Sequence, residues 1–193
     1  MGLEEELSLI KDAQSNVQAF SKLYDIYFPK IFRYCFNRLA HKEMAEDVTS
    51  QVFLRSIEII KEFDVERRLR LGPWLYAITH NLIIDMIRRN KFSKCFDEKK
   101  DAENVNGTDI IEKEIEVSMM QKQIACVLNS INQRYAQIIS LKYYSELDTE
   151  EISILMDTNI SQIPVLLFRA LKSFREEFKR KYPKSEIIYS LNS

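Results

Sequence analysis

WLYAITHNLIIDMIRRNK, residues 74 to 91, is the stretch that decides how this chain is built. On a helix advancing about 100° per residue, Asn81, Asp85, Arg88 and Arg89 share one arc with Trp74, whereas Leu75, Ile83, Met86 and Ile87 face away from it. One face can bury and the other is free to recognise something. Gly72-Pro73 just ahead predicts a helix start, because proline's fixed φ suits the first turn and its missing N–H has no partner to lose there. The Arg88-Arg89-Asn90-Lys91 end puts cations where the helix dipole favours them, so those charges have a purely structural role available. A binding role for them has to be supported from elsewhere in the chain.

The 193 residues, 46% apolar and 30% charged, suffice for one core or two small ones. Three glycines, four prolines and apolar residues recurring at three and four predict an all-α fold. The net charge of −1 hides an uneven pattern. Residues 66 to 94 carry seven Lys/Arg against two acids, residues 97 to 116 three against eight, and residues 169 to 184 seven against two. Two basic segments thus flank an acidic one. Cys35, Cys95 and Cys126 are widely spaced, and only His41 and His80 offer nitrogen ligands beside them, so a reduced chain without metal or other cofactor is expected. The first residues, MGLEEELSLI, lack a basic leader, and no apolar run reaches membrane-spanning length. Cytoplasmic localisation without membrane insertion is the expectation. No glycine-rich phosphate loop or Ser/His/Asp or Cys/His arrangement suggests an enzyme, and no catalytic residue is assigned.

In chain order, residues 4 to 14 form a short helical candidate, and Asn16 caps a second helix that runs to about Tyr27. Pro29 predicts a kink or a new first turn before a helix from Ile31 to Leu39. The aromatic residues here are assigned to the core. A helix from Lys42 to Glu62 buries Met44, Ala45, Val48, Val52, Ile59 and Ile60, and FDVERRLRLG (Phe63 to Gly72) follows as an exposed basic loop. Residues 95 to 117, polar and acidic with Asn106-Gly107, read as a flexible linker. Helices resume near Val117 and run through Ser130, then from Gln133 to Leu141 and from Asp148 to Met156. A last helix starts between Ile160 and Pro164 and ends at Lys181. The resulting organisation is a domain over 1–94, a linker over 95–117, a second domain over 118–181 and a tail over 182–193.

AEDVTSQVFLRSI (Ala45 to Ile57), the loop beginning at Phe63-Asp64 and WLYAITHNLIIDMIRR, in that order over about 70 residues, resemble the second region of bacterial sigma factors of the sigma-70 family, nearest to the extracytoplasmic-function group. FSKLYDIYFPKIFRYCFNRL (Phe20 to Leu39) is similar to the helix pair that opens that domain. DTEEISILMDTNISQIPVLLFRALKSF (Asp148 to Phe174), preceded by INQRYAQIISLKYYSEL, resembles the helix-turn-helix of the family's fourth region.

The resemblance implies a transcription initiation factor that joins core RNA polymerase, opens the promoter's minus-ten element and reads its minus-thirty-five element. It places Asp47, Gln51, Phe53, Leu54 and Arg55 on the helix that meets the polymerase clamp. It assigns Arg67, Arg68, Arg70, Trp74, Asn81, Asp85, Arg88 and Arg89 to the minus-ten strand, and Asn159, Ser161, Gln162, Arg169 and Lys172 to the minus-thirty-five DNA. It adds an anti-sigma factor as a possible protein partner. Basic loops that hold phosphates beside a polar face with an aromatic suit the trapping of an unstacked base.

The chain departs from its relatives in several places. Ser50-Gln51 stands where a glutamine and an acid are usual, and Leu71-Gly72-Pro73 replaces the aromatic and arginine that often precede the tryptophan. Pro164, Val165 and Leu166 replace lysine, serine and arginine within the apolar run Ile163 to Phe168. Major-groove reading needs donors and acceptors. The second domain is therefore expected either to touch mostly phosphate or to present its apolar helix to a protein such as an anti-sigma factor, unless Val165 and Leu166 are simply core. Asp157 occupies the usual glycine of the turn and tolerates its left-handed conformation. The alternatives in function are a sigma-like decoy and a helix-turn-helix regulator acting through protein contacts.

Overall fold

A computed structural model describes residues 2–65, 70–89, 109–183 and 185, with the backbone alone for 109–118. Arg67, Arg68, Cys95, most of the expected linker and the tail beyond 185 lie outside the described residues. The elements are α1 (Leu3–Ala13), α2 (Val17–Leu39), α3 (Lys42–Ile59) with a 3-10 turn Ile60–Glu62, α4 (Leu71–Arg89), α5 (Asp109–Ser130), α6 (Gln133–Tyr144), α7 (Thr149–Leu155), a 3-10 turn Ile160–Gln162, and α8 (Ile163–Lys181). The described residues contain no strand, so the expected all-α class holds. No helix among them is long and apolar enough to cross a membrane.

The first four helices form one bundle around α2. Leu23, Ile31, Tyr34, Cys35 and Leu39 of α2 are buried against Ile10 of α1, Val48 and Val52 of α3 and Leu75 and Ile83 of α4. Burying one such aliphatic side chain contributes about 1.5–3 kcal/mol, which is what holds helices of this length in water. Pro29 does not split α2 as expected: it is exposed and lies within one continuous helical span. The cost of its missing N–H is offset by the apolar side that both halves of α2 bury. Ala40 ends α2 in the left-handed conformation (φ 51°), its N–H donating to Phe36 O, and His41 Nδ1 then accepts from Met44 N–H to start α3.

The second bundle packs α8 against α5 and α6, with Val127, Leu128, Ala136, Ile138, Leu141, Ala170 and Phe178 buried. Asp148 Oδ1 accepts from Glu151 N–H and Glu151 Oε2 accepts from Asp148 N–H, a reciprocal cap that starts α7 where the sequence indicates. Asp157 takes the left-handed turn at φ 46°, as expected of an aspartate there. The backbone of α5 is already helical at Asp109, ahead of the expected Val117. The glutamates and Lys113 of 109–116 are good helix formers as well as good linker residues, so composition alone misplaces this boundary. Cys35, one of the three cysteines expected to be reduced, is free and buried.

The two bundles share a seam. Helices α5 and α6 lie against α2, and α7 lies against α4. At its exposed rim Glu146 meets Lys30 at 2.7 Å and Arg33 at 2.8 Å, and these hydrogen bonds hold its carboxyl below the usual range.

Candidate polymerase and nucleic-acid interface

On α3, Asp47, Gln51, Leu54 and Arg55 lie on one exposed face, with Leu54 64% exposed. Phe53 belongs to the other side. It is buried, with Tyr24 edge-on at 4.7 Å between ring centroids and Phe28 at 6.1 Å. Helical spacing turns it about 100° from Leu54 and about 160° from Gln51, and its burial places it beneath the face and not on it. Ile57, which sequence reasoning left out of the site, is exposed one turn on from Leu54.

On α4 the predicted arc is present. Asn81, Arg88 and Arg89 are exposed and Asp85 is half-buried, with Arg88 Nη1 3.8 Å from Asp85 Oδ1. Leu75, Leu82 and Ile83 of the same helix are buried, Ile83 on the side away from Asn81 and Asp85. Trp74 is half-buried and edge-on to Phe63 at 5.8 Å, so its ring is already partly engaged.

Arg70 is exposed but held, 3.0 Å from Glu6 Oε2 and 3.7 Å from Glu151 Oε1 of α7. Glu6 is a residue the sequence did not single out. It is fully buried, and its Oε1 accepts from Tyr27 OH at 2.5 Å and from Leu71 N–H at 2.9 Å. A carboxylate of α1 therefore satisfies one of the free N–H groups at the start of α4 and positions Arg70 beside it. Burial, and then the hydrogen bond to Glu6, push the Tyr27 phenol well above its ordinary value. The sequence shows only Glu4-Glu5-Glu6 in a first turn, three acids that look alike until one of them meets a partner 65 residues away.

A different charge sits in the seam. Arg38 is 1% exposed and donates to the side-chain oxygens of Asn129 and, at 3.4 Å, of Gln133. Burial lowers its pKa to about 10, with partial relief from Tyr34 and Tyr144 and none from a carboxylate. Arg38 Nε, Tyr34 OH, Tyr76 OH and Asn129 Nδ2 are buried without a hydrogen-bond partner. His80 faces the same charge. Burial and then Arg38 lower its pKa to about 4, so it is a neutral core-edge residue at pH 7.

In the helix-turn-helix, Asn159 Oδ1 accepts from Ser161 N–H at 3.1 Å and from Ser161 Oγ at 3.0 Å, and Thr158 Oγ1 donates to Gln162 Oε1 at 3.0 Å. Three expected base readers are thus partly engaged with their own turn. Arg169 and Lys172 are exposed. Val165, 52% exposed, is not core; Leu166 is half-buried and packs against the core. Phe168 is 71% exposed on the same side. An open groove of about 330 Å³ runs beside Val165 and Leu166, with Arg134, Gln162 and Arg169 on its walls.

Residues 23–93 match the family described as Sigma-70 region 2, and residues 121–174 match Sigma-70, region 4. Over 170 residues the chain is 28% identical to the ECF RNA polymerase sigma factor BldN of Streptomyces coelicolor, covering 86% of this chain and 63% of that protein's length. Over 174 residues it is 29% identical to the ECF RNA polymerase sigma factor SigW of Bacillus subtilis, covering 83% of this chain and 89% of the relative. CnrH, in its complex with the cytosolic domain of CnrY, has the same fold at a TM-score of 0.65 and 15% identity, over 89% of this chain and 95% of CnrH. With both regions matched in the family's order, the chain belongs to the extracytoplasmic-function sigma factors of the sigma-70 family.

Proposed function

We propose that this chain is a transcription initiation factor that joins core RNA polymerase, selects promoters and helps to open them, without catalytic chemistry of its own and in the cytoplasm. The observation that carries the reading is the pair of matched regions in the family's order. Asp47, Gln51, Leu54 and Arg55 of α3 are the proposed polymerase contacts, with Ile57 beside them. Asn81, Asp85, Arg88 and Arg89 of α4 are proposed to hold the minus-ten strand, the arginines through phosphates and the amide and carboxylate through a base edge. Arg67, Arg68 and Arg70 complete that group, Arg70 after exchanging Glu151 for a phosphate. Asn159, Ser161, Gln162, Arg169 and Lys172 are proposed to meet the minus-thirty-five element. CnrH is seen with the cytosolic domain of CnrY, and a protein partner of anti-sigma type is part of this proposal for the present chain.

The test is co-elution of the purified chain with bacterial core RNA polymerase, followed by run-off transcription from genomic fragments. Co-elution with new transcripts is expected; co-elution without transcripts favours a decoy. A folded chain that does not co-elute points to a helix-turn-helix regulator. Within the complex, Arg88→Ala with Arg89→Ala is expected to reduce open-complex formation about tenfold and to flatten its salt dependence while polymerase binding persists. Unchanged opening would remove α4 from the account.

A further inference from the structure

The exposed side of α8 combines two chemistries that few partners satisfy together. Val165 and Phe168 are three residues apart and Lys172 is four further on, so all three lie on one face, with Arg169 and Arg175 on its flanks. Arg134 of α6 faces the same groove, and Glu176, exposed at the far end of the face, is the acid nearest to it along the helix. An apolar centre with cationic edges fits a surface that presents phosphates around an apolar group. The polar side chains at the start of the helix add little hydrogen-bonding capacity, because Asn159, Ser161 and Gln162 partner one another and Thr158.

Neither valine nor phenylalanine can donate or accept a hydrogen bond. On the major-groove edges of DNA, the one apolar group is the C5-methyl of thymine. We propose that Val165 and Phe168 are specificity-determining residues that read thymine methyl groups in the upstream promoter element, while Arg134, Arg169, Lys172 and Arg175 hold the flanking phosphates. The inference rests on the reading of α8 as the DNA-facing helix and adds the base feature it selects. Discrimination then comes from apolar burial, with a preference for thymine over cytosine at the contacted positions, and not from bidentate hydrogen bonds.

The experiment uses holoenzyme assembled from core polymerase and the full chain, on a promoter fragment recovered by its own transcription. Each thymine of the upstream element is replaced in turn by deoxyuridine, which deletes the methyl and keeps the pairing. At one to three positions, binding is expected to weaken about fourfold, the factor one buried methyl group is worth. Val165→Ala and Phe168→Ala alter exposed side chains and are expected to fold normally. Each is expected to bind the unmodified promoter more weakly and to lose the deoxyuridine effect at its own position. Arg169→Ala, by contrast, is expected to weaken binding to every sequence and to lower the salt slope.

Promoter-specific binding that is indifferent to every deoxyuridine overturns the proposal and returns the apolar face to a protein partner. So does a deoxyuridine effect that persists in full in both alanine variants. Absence of any promoter-specific complex with core polymerase is a different failure, since it removes the proposed function and this inference with it.

Discussion

Two buried charges, Glu6 and Arg38, are handled in opposite ways. Glu6 has no exposed surface, yet both of its oxygens are used, by Tyr27 OH and Leu71 N–H on one side and Arg70 on the other. Arg38 is as deeply buried and meets only neutral amide oxygens, with its Nε unpartnered. The first charge lies within the amino-terminal bundle and joins α1 to the start of α4. The second lies where that bundle meets α5 and α6. A charge taken out of water is tolerated where its partners repay the desolvation and is a weak point where they do not. The buried charge inside the bundle is repaid by its partners; the buried charge in the seam is not, although Glu146 bridges Lys30 and Arg33 at the seam's exposed rim.

The comparison is broken most sharply at Glu6. Glu6→Ala leaves the Tyr27 hydroxyl and the Leu71 N–H without an acceptor and removes a charge-assisted bond. It is expected to destabilise the chain by about 3–5 kcal/mol in denaturant unfolding. A loss below about 1 kcal/mol would mean that water replaces the carboxylate and that the node is ornamental.

A smaller effect is expected from acid. His80 binds its proton at about pH 4 in the fold, against an ordinary value of 6.5. Between those values the unfolded chain takes up a proton that the folded chain refuses. Its contribution to stability is therefore complete above pH 6.5 and is lost as the pH falls towards 4, by about 2 kcal/mol once partial exposure is allowed for. In His80→Asn the slope of stability against pH in this window should flatten; an identical slope in the variant would assign the acid sensitivity to other groups.

The smallest expected effect has the opposite sign. Arg38→Met combined with Asn129→Leu removes the buried charge together with its amide partner, and is expected to stabilise the chain by about 1 kcal/mol and to raise its Tm by a few degrees. A fall in Tm would show that Arg38 is better compensated than its neighbours indicate.

The contrast between these residues also shows what a sequence can carry. The α4 face was legible because amphipathic spacing is local: Asn81, Asp85 and Arg88 separate from Ile83 by angle alone. The Asp148 cap and the Asp157 turn were legible for the same reason. Phe53 reaches the clamp group through the motif it belongs to, whereas its place on the helix turns it inward, where it is buried. Glu6 and Arg38 were not legible at all. Their burial is decided by Leu71 and Asn129, far along the chain, and nothing near Glu6 or Arg38 marks them out from other acids and arginines on helices. Val165 was legible as apolar but not as exposed, since a short apolar run at the start of a helix fits core and surface equally well.

Helix α1 also sets a boundary for anyone who would work with part of this molecule. The stretch that matches region 2 starts at residue 23, so α1 falls ahead of it. Yet α1 supplies Glu6, and the residue that follows it, Gln14, donates from its amide to the carbonyls of Ile60 and Phe63 where α3 gives way to the basic loop. A gene trimmed to the family boundary would discard both fastenings at once, leaving the loop untied at its entry and α4 uncapped at its start. Domain-swap libraries, and chimaeras that exchange promoter preference between relatives, should therefore be joined ahead of Leu3 or beyond Arg89.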